Sequence, residues 1–333
     1  MTVRIGVLGV GRIGRMHAEI IANEIEGAAV AGVFDVNEAA AAAVADELRV
    51  PVMTVEEMLA SPDVDAVAVC SSTDTHVELI ERAAAAGKAI FCEKPVSLDL
   101  AEVDKALAAV EKFQVPFMVG FNRRFDPTHA AVQEAVASGR VGEPHIARLS
   151  SRDPAPPPVE YIKVSGGIFV DMMIHDFDMA RFVVGSPVTK VYATGAVRID
   201  PAIGEAGDLD TAVVTLTHEN GCITVIDNSR QAVYGYDQRM EVLGSTGMAM
   251  SENPMKNSAM VYTSTERQGS VLPYFFLDRY TDSYRIEWEA FVRYIRDGGP
   301  SPVSGADGRA PVAIGIAAWD SYHSGVPVTV DQG

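Results

Sequence analysis

Cysteine is scarce in this chain. Cys70, Cys92 and Cys222 are the three among 333 residues, an odd number with no Cys-x-x-Cys pair. That argues against a disulfide framework and suits a reducing compartment, where thiols behave as small core residues. Positive charge is also short, with 27 Lys and Arg against 45 Asp and Glu and a net charge of −18. Nucleic acid and anionic membrane both need a basic surface, so neither is expected as a partner. A small neutral substrate suits such a surface, and an anionic cofactor would need a local site. No apolar run approaches the ~20 residues of a membrane span. Nor does a charged leader with a long apolar core come before Val3. Internal repeats and long low-complexity tracts are missing as well. With 48% hydrophobic and 22% charged residues, the expectation is a cytoplasmic protein with two well-buried domains.

What is present centres on one stretch, Gly166 to Phe182, mostly apolar but carrying Asp171, His175, Asp176 and Asp178. Written on a helix, Asp171, His175 and Asp178 share one stripe and Asp176 lies to the side. Ionisable groups on an apolar helix should be paired or functional, because burying them alone is costly. A carboxylate one turn from an imidazole can orient the ring and raise its basicity, as a general base requires. The stretch by itself also allows Asp171 as a cap, His175 as a satisfied core histidine, or a metal site, although a metal needs three or more placed ligands.

The N-terminal part supplies context. Residues 3–8 read as a buried strand running into Gly9-Val10-Gly11-Arg12-Ile13-Gly14, and a helical pattern follows. This is G-x-G-x-x-G between strand and helix: Gly9 for the turn, Gly11 for close approach of a pyrophosphate, Gly14 for helix–strand packing. The helix N-terminus offers N–H groups to the phosphates. A second strand, 28–34, ends at Asp35, placed to accept from ribose hydroxyls and to repel a 2′-phosphate. NAD is favoured over NADP. The alternation continues with helix 37–49, strand 66–70, helix 76–86, strand 89–92, helix 98–113 and strand 117–121, an α/β doubly wound parallel sheet. Ligands bind such sheets at the carboxyl ends of the strands. That places Ser71, Ser72, Thr73 and His76 after one strand and Glu93-Lys94-Pro95 after the next among the cofactor candidates. The alternative for these is ordinary loop and capping chemistry.

Taken together, Gly9 to Gly14, Glu93-Lys94-Pro95 and Asp171-x-x-x-His175 resemble the glucose–fructose oxidoreductase/inositol dehydrogenase family. Phe121-Asn122-Arg123-Arg124-Phe125-Asp126, Ser151-Arg152-Asp153-Pro154 and the Gly166 to Phe182 segment look like its bacterial inositol 2-dehydrogenases. The resemblance implies a catalytic group of Lys94, Asp171 and His175 and NAD-dependent oxidation of a cyclic polyol; with metal the weakest reading of the residues themselves, none is expected. It also implies Arg124, Asp153 and Tyr234 (in preference to Tyr236) in the substrate pocket, and a homotetramer built through the second domain's sheets. Related activities on scyllo-inositol, an anhydrosugar or an aldose stay open. So do an NAD-recycling glycoside hydrolase and a non-catalytic NAD-binding sensor.

The expected division is a Rossmann domain over 1–121 and an α+β substrate-binding and oligomerisation domain over 122–333. In the second, a helix over 128–138 precedes a strand over 145–150. The run Pro154 to Pro158 is too proline-rich for helix or central strand and reads as an extended arm. Beyond Gly185 the period becomes two over 188–198, 210–217, 222–229 and 239–243, which predicts a large open antiparallel sheet. The His175 helix is expected to cover one face and a second subunit the other. Helices over 280–297 and 308–323 close the chain, with room to pack back on the first domain.

Overall fold

The computed structural model describes residues 2–333. The chain forms two compact units, one comprising the chain through Asn122 together with Asp282–Val312, the other Arg123–Thr281 together with Ala313–Gly333.

In the first unit the strands are β1 (Val3–Leu8), β2 (Ala28–Phe34), β3 (Ala66–Val69), β4 (Ala89–Glu93) and β5 (Phe117–Gly120). They pair in the order β2-β1-β3-β4-β5, and every pairing is parallel. Apolar, β-branched runs such as Ala66 to Val69, buried throughout, are what a sheet covered on both faces demands. Helices Arg12–Asn23, Glu38–Leu48, His76–Ala85 and Leu100–Phe113 lie between the strands. A further helix, Val55–Ala60, went unpredicted although its signal was legible: Thr54 and Glu57 form a reciprocal capping box. The expected division at 121/122 allowed the closing helices to pack back on the first domain, and residues Asp282–Val312 group with the first unit. In helix Thr281–Asp297, Trp288 and Phe291 are buried against Phe91 of β4, with ring centroids 4.5 and 5.7 Å away. Aromatic burial of this kind holds that segment to the first unit.

The second unit contains β6 (Pro144–Arg152), β7 (Val188–Ala196), β8 (Thr211–His218), β9 (Ile223–Ser229), β10 (Asp237–Gly244), β11 (Met248–Ser251), a separate hairpin of β12 (Met260–Tyr262) and β13 (Arg267–Gly269), and β14 (Val328–Thr329). Seven strands form one sheet in the order β11-β10-β6-β9-β8-β7-β14, antiparallel except for the parallel β6–β9 pair. Alternation along β8 buries Ala212, Val214 and Leu216 and turns Val213 outward. Helix Ile174–Val184 covers the inner face, where Asp176 meets Ser151 of β6 and Asn228 of β9. The proline run stays outside helix and strand and leads into a single turn, Val159–Ile162. Among the described residues no helix is long and apolar enough to cross a membrane.

Candidate active site

The glycine loop of the first unit is shaped by three different constraints. Gly9 has φ +92°, and a Cβ there would lie 2.6 Å from the backbone of Ser71. A Cβ on Gly14 would lie 1.8 Å from the Gly9 carbonyl oxygen, while one on Gly11 would meet nothing within 4 Å. Gly9 and Gly14 are therefore required by turn and packing, and the space over Gly11 is left for a ligand. Gly11 caps helix Arg12–Asn23 without any side-chain bond, and Arg12, Ile13 and Gly14 begin the helix with no acid in the first turn. Such an uncapped, acid-free terminus suits an anionic group. At the end of β2 the Asp35 carboxylate accepts from Val10 N and Asn37 N, both at 2.8 Å. Its remaining lone pairs can accept from ribose hydroxyls. Asp35→Ser is expected to weaken discrimination against NADP at least about tenfold, since the carboxylate's repulsion of a 2′-phosphate is lost. Comparing kcat/KM for the two cofactors checks this; an unchanged ratio would remove Asp35 from cofactor choice.

Ser71 Oγ and Thr75 Oγ1 share a hydrogen bond of 2.6 Å, and Ser72 precedes the 3₁₀ turn Thr73–Thr75. His76 departs from expectation as a cofactor contact. It is 1% exposed, with Nδ1 2.9 Å from the Pro95 carbonyl and Nε2 3.1 Å from that of Ser71. Burial lowers its pKa against the opposing pull of these carbonyls. The ring is a strut joining two loops rather than an exposed surface.

Glu93 and Lys94 follow β4, and the Lys94–Pro95 peptide is cis. Trp288 Nε1 donates to His17 Nδ1 at 2.8 Å, so the ring proton sits on Nε2, which donates to Glu93 Oε1 at 2.7 Å. Glu93 Oε2 in turn accepts from Lys94 N at 3.2 Å. Glu287 is fully buried, and neither of its carboxyl oxygens has a hydrogen-bond partner. Burial, with Glu93 nearby, raises its pKa well above the usual range, which favours the neutral form. Sequence reasoning missed His17, Trp288 and Glu287, which lie far from the motif and carry no local signature.

In the second unit the predicted single helix is broken, which corrects the three-residue stripe. Gly166 and Gly167 take φ of +90° and +74°. A π-helical turn, Ile168–Met172, then precedes helix Ile174–Val184. Asp171 and His175 remain on a part-exposed side, but Asp178 is 0% exposed. Its carboxylate takes both Nε and Nη2 of Arg124, at 2.9 and 2.6 Å. Arg124, expected against substrate, is thus held by Asp178. Asp176, expected to the side, is the centre of a buried network, accepting from Arg123 Nη1 at 2.9 Å and Asn228 Nδ2 at 3.0 Å. A pattern of ring and carboxylate spacings cannot foresee this, because one π turn rotates every later side chain.

Asp171 itself accepts from the Tyr161 hydroxyl at 2.8 Å, so the proline-rich arm delivers a donor to it. Asp153 is part-buried, and burial pushes its carboxyl up to about 6, with Arg123 and Arg230 opposing and Asp171 and Asp176 adding to the rise. Tyr234 is 51% exposed, its hydroxyl donating to Asp237 at 2.7 Å and accepting from Arg152 at 3.0 Å. Tyr236 is buried against Tyr280, and burial raises its phenol well above the usual range. Among the described residues no group of three or more His, Cys, Asp or Glu could hold a metal ion.

Family comparison decides what such a chain is. Residues 3–121 match the model of the oxidoreductase family with an NAD-binding Rossmann fold, and residues 129–250 match the GFO/IDH/MocA C-terminal domain. The myo-inositol 2-dehydrogenase of Thermotoga maritima is 47% identical over 332 residues, 99% of each chain. The chain belongs to the GFO/IDH/MocA oxidoreductase family. Another relative in this family, the inositol 2-dehydrogenase of Rhizobium meliloti, is 49% identical over 318 residues, 96% of each chain. The scyllo-inositol dehydrogenase of Lactobacillus casei, solved with NAD(H) and scyllo-inositol, superposes with a TM-score of 0.92 at 29% identity and 99% coverage of both chains. As a GFO/IDH/MocA protein the chain is a dehydrogenase acting on CH–OH, and its cofactor is NAD. The open space over Gly11, the uncapped helix and Asp35 fit that cofactor.

Proposed function

We propose that this enzyme oxidises myo-inositol at one ring hydroxyl to the corresponding ketone, 2-keto-myo-inositol. The carrying observation is that relatives named for this reaction match the chain over 96–99% of its length; Lys94, Asp171 and His175 are present in the sequence as the proposed catalytic group. NAD, when bound, supplies the hydride acceptor. The work of the chain is to remove the hydroxyl proton and to bear the charge that develops on oxygen. His175 takes the proton, and Asp171 orients the ring and stabilises the imidazolium. Lys94 donates a hydrogen bond to the reacting oxygen, favouring the developing alkoxide. Asp153 and Tyr234 are the proposed contacts to the other hydroxyls, with Arg124 acting in the pocket through its ion pair to Asp178. A polyol suits such groups because each hydroxyl both donates and accepts, and a missing one leaves buried partners unpaired.

The open face of the large sheet supports assembly into a homotetramer, since Tyr192, Val213, Ile223, Leu243, Met248 and Met250 are exposed on its strands. Three free cysteines suit a cytoplasmic location.

A panel of inositols and sugars incubated with NAD, read by reduced nicotinamide absorbance, tests the substrate. Turnover with myo-inositol is expected. Turnover with scyllo-inositol alone would favour the second reading, which the Lactobacillus casei structure supports; an anhydrosugar or aldose would be read the same way. Loss of a leaving group without net reduction would indicate a hydrolase, and NAD binding without turnover a sensor. Lys94→Ala is expected to lower kcat about 10²-fold or more, the effect of deleting one donor to a developing oxyanion, with NAD affinity little changed. Near-normal kcat would refute its role.

A further inference from the structure

We infer that Arg230, anchored by Asp208, is a positioning residue for the Asp171 carboxylate. This rests on the proposed role of Asp171 as the orienting acid. Arg230 leaves β9 only 1% exposed. Its Nη2 donates to Asp208 Oδ2 at 3.0 Å, and its Nη1 lies 3.6 Å from Asp171 Oδ2. That second distance is beyond a hydrogen bond, so Arg230 acts on Asp171 through charge. The other carboxylate oxygen, Oδ1, takes the Tyr161 hydroxyl, and Asp171 is held from two sides by different forces.

Asp208 links this arginine to the turn that carries Asp171. Its Oδ1 accepts Ile168 N at 2.8 Å, at the first residue of the π-helical turn. A Cβ on Gly167 would lie 2.7 Å from that same oxygen, so the glycine is needed for the approach. One carboxylate therefore sets both the backbone of the turn and the cation facing its acid. The arrangement is a poor solution for stability alone. Arg230 Nε is buried without a hydrogen-bond partner, and an apolar side chain of similar volume would avoid both that loss and the desolvation of the guanidinium. The cation does have electrostatic work there, because it pairs with both Asp171 and Asp208 and, with Arg123, opposes the rise that burial and Asp171 give the Asp153 carboxyl.

The test uses the full-length enzyme with myo-inositol, or with whichever panel polyol is oxidised. Arg230→Gln is expected to lower kcat about 10–100-fold, the range of a strong side-chain coupling, with KM and NAD affinity changed less than about threefold. Arg230→Lys, which keeps the charge, should recover most of the loss. In an Asp171→Asn background, Arg230→Gln should cost less than about twofold, because its route of action is already gone. Asp208→Asn should behave in the same non-additive way, and it answers the question if Arg230→Gln fails to fold by circular dichroism. Histidine-labelled NMR of the cofactor-free protein gives a readout independent of turnover. The His175 ring signal, assigned with His175→Ala, should move in Arg230→Gln and return in Arg230→Lys. Full additivity with Asp171→Asn, or a folded Arg230→Gln enzyme with normal kcat and an unmoved His175 signal, overturns the inference. Normal turnover in Asp171→Asn itself would instead sink the role given to Asp171, and the inference with it.

Discussion

His175→Ala is expected to reduce kcat about 10²–10⁴-fold, the usual contribution of a positioned general base, while NAD binding stays within a few-fold. The separation follows from where the residues lie in the fold. His175 belongs to helix Ile174–Val184 of the second unit, whereas the glycine loop, Asp35 and the Ser71 to His76 turn all belong to the first. Deleting an imidazole from one unit removes no group of the dinucleotide cradle in the other. Stopped-flow reduction of NAD gives the turnover, and fluorescence titration gives the affinity. A His175→Ala enzyme within tenfold of the parent would mean that another group takes the proton. Equal loss of turnover and NAD affinity would mean that the substitution had disturbed folding instead.

The second large effect concerns stability. Asp176→Ala should destabilise the protein by about 3–5 kcal/mol, the cost of removing one partner from a buried ion pair. Asp176 is 2% exposed, and the carboxylate joins Arg123, Ser151 and Asn228. Burial raises its pKa, with Arg123 and the two neutral donors opposing the rise. Without the carboxylate the Arg123 guanidinium stays buried with less compensation, and Ser151 and Asn228 lose an acceptor. Asp176→Ala with Arg123→Met should recover part of the loss, because an apolar pair in that space leaves no uncompensated charge. Chemical denaturation of the three proteins measures both effects. A single-variant loss below about 1 kcal/mol, the level of an exposed ion pair, would show that this network does not anchor the His175 helix to its sheet.

These two residues stand next to each other in sequence and illustrate what could be read from it. His175 stood out as a candidate because a titratable ring in an apolar segment, four residues from an acid, is chemically expensive unless it is used or paired. Asp176 did not, since its partners sit on strands 25 and 52 residues away and its spacing on an ideal helix points elsewhere. The glycine loop was legible because Gly9 and Gly14 answer local backbone demands and Gly11 leaves open space for a ligand. His76 was misread because a loop histidine looks the same in sequence whether it faces solvent or joins two carbonyls. Val55–Ala60 is the opposite case, since its Thr54-x-x-Glu57 signature was present and went unread.

By itself the sequence determined the alternation of strands and helices, the nucleotide fingerprint with its acid, and the candidate Lys94, Asp171 and His175. Each of these depends on neighbours within a few residues, on backbone periodicity and turn chemistry. Only the tertiary structure decided that a π turn divides the Asp171 segment, that Asp176 and Asp178 are buried partners of Arg123 and Arg124, and that Asp208 and Arg230 stand behind Asp171. Those outcomes come from burial and pairing between residues remote in the chain, where desolvation selects the partner and no local pattern records the choice.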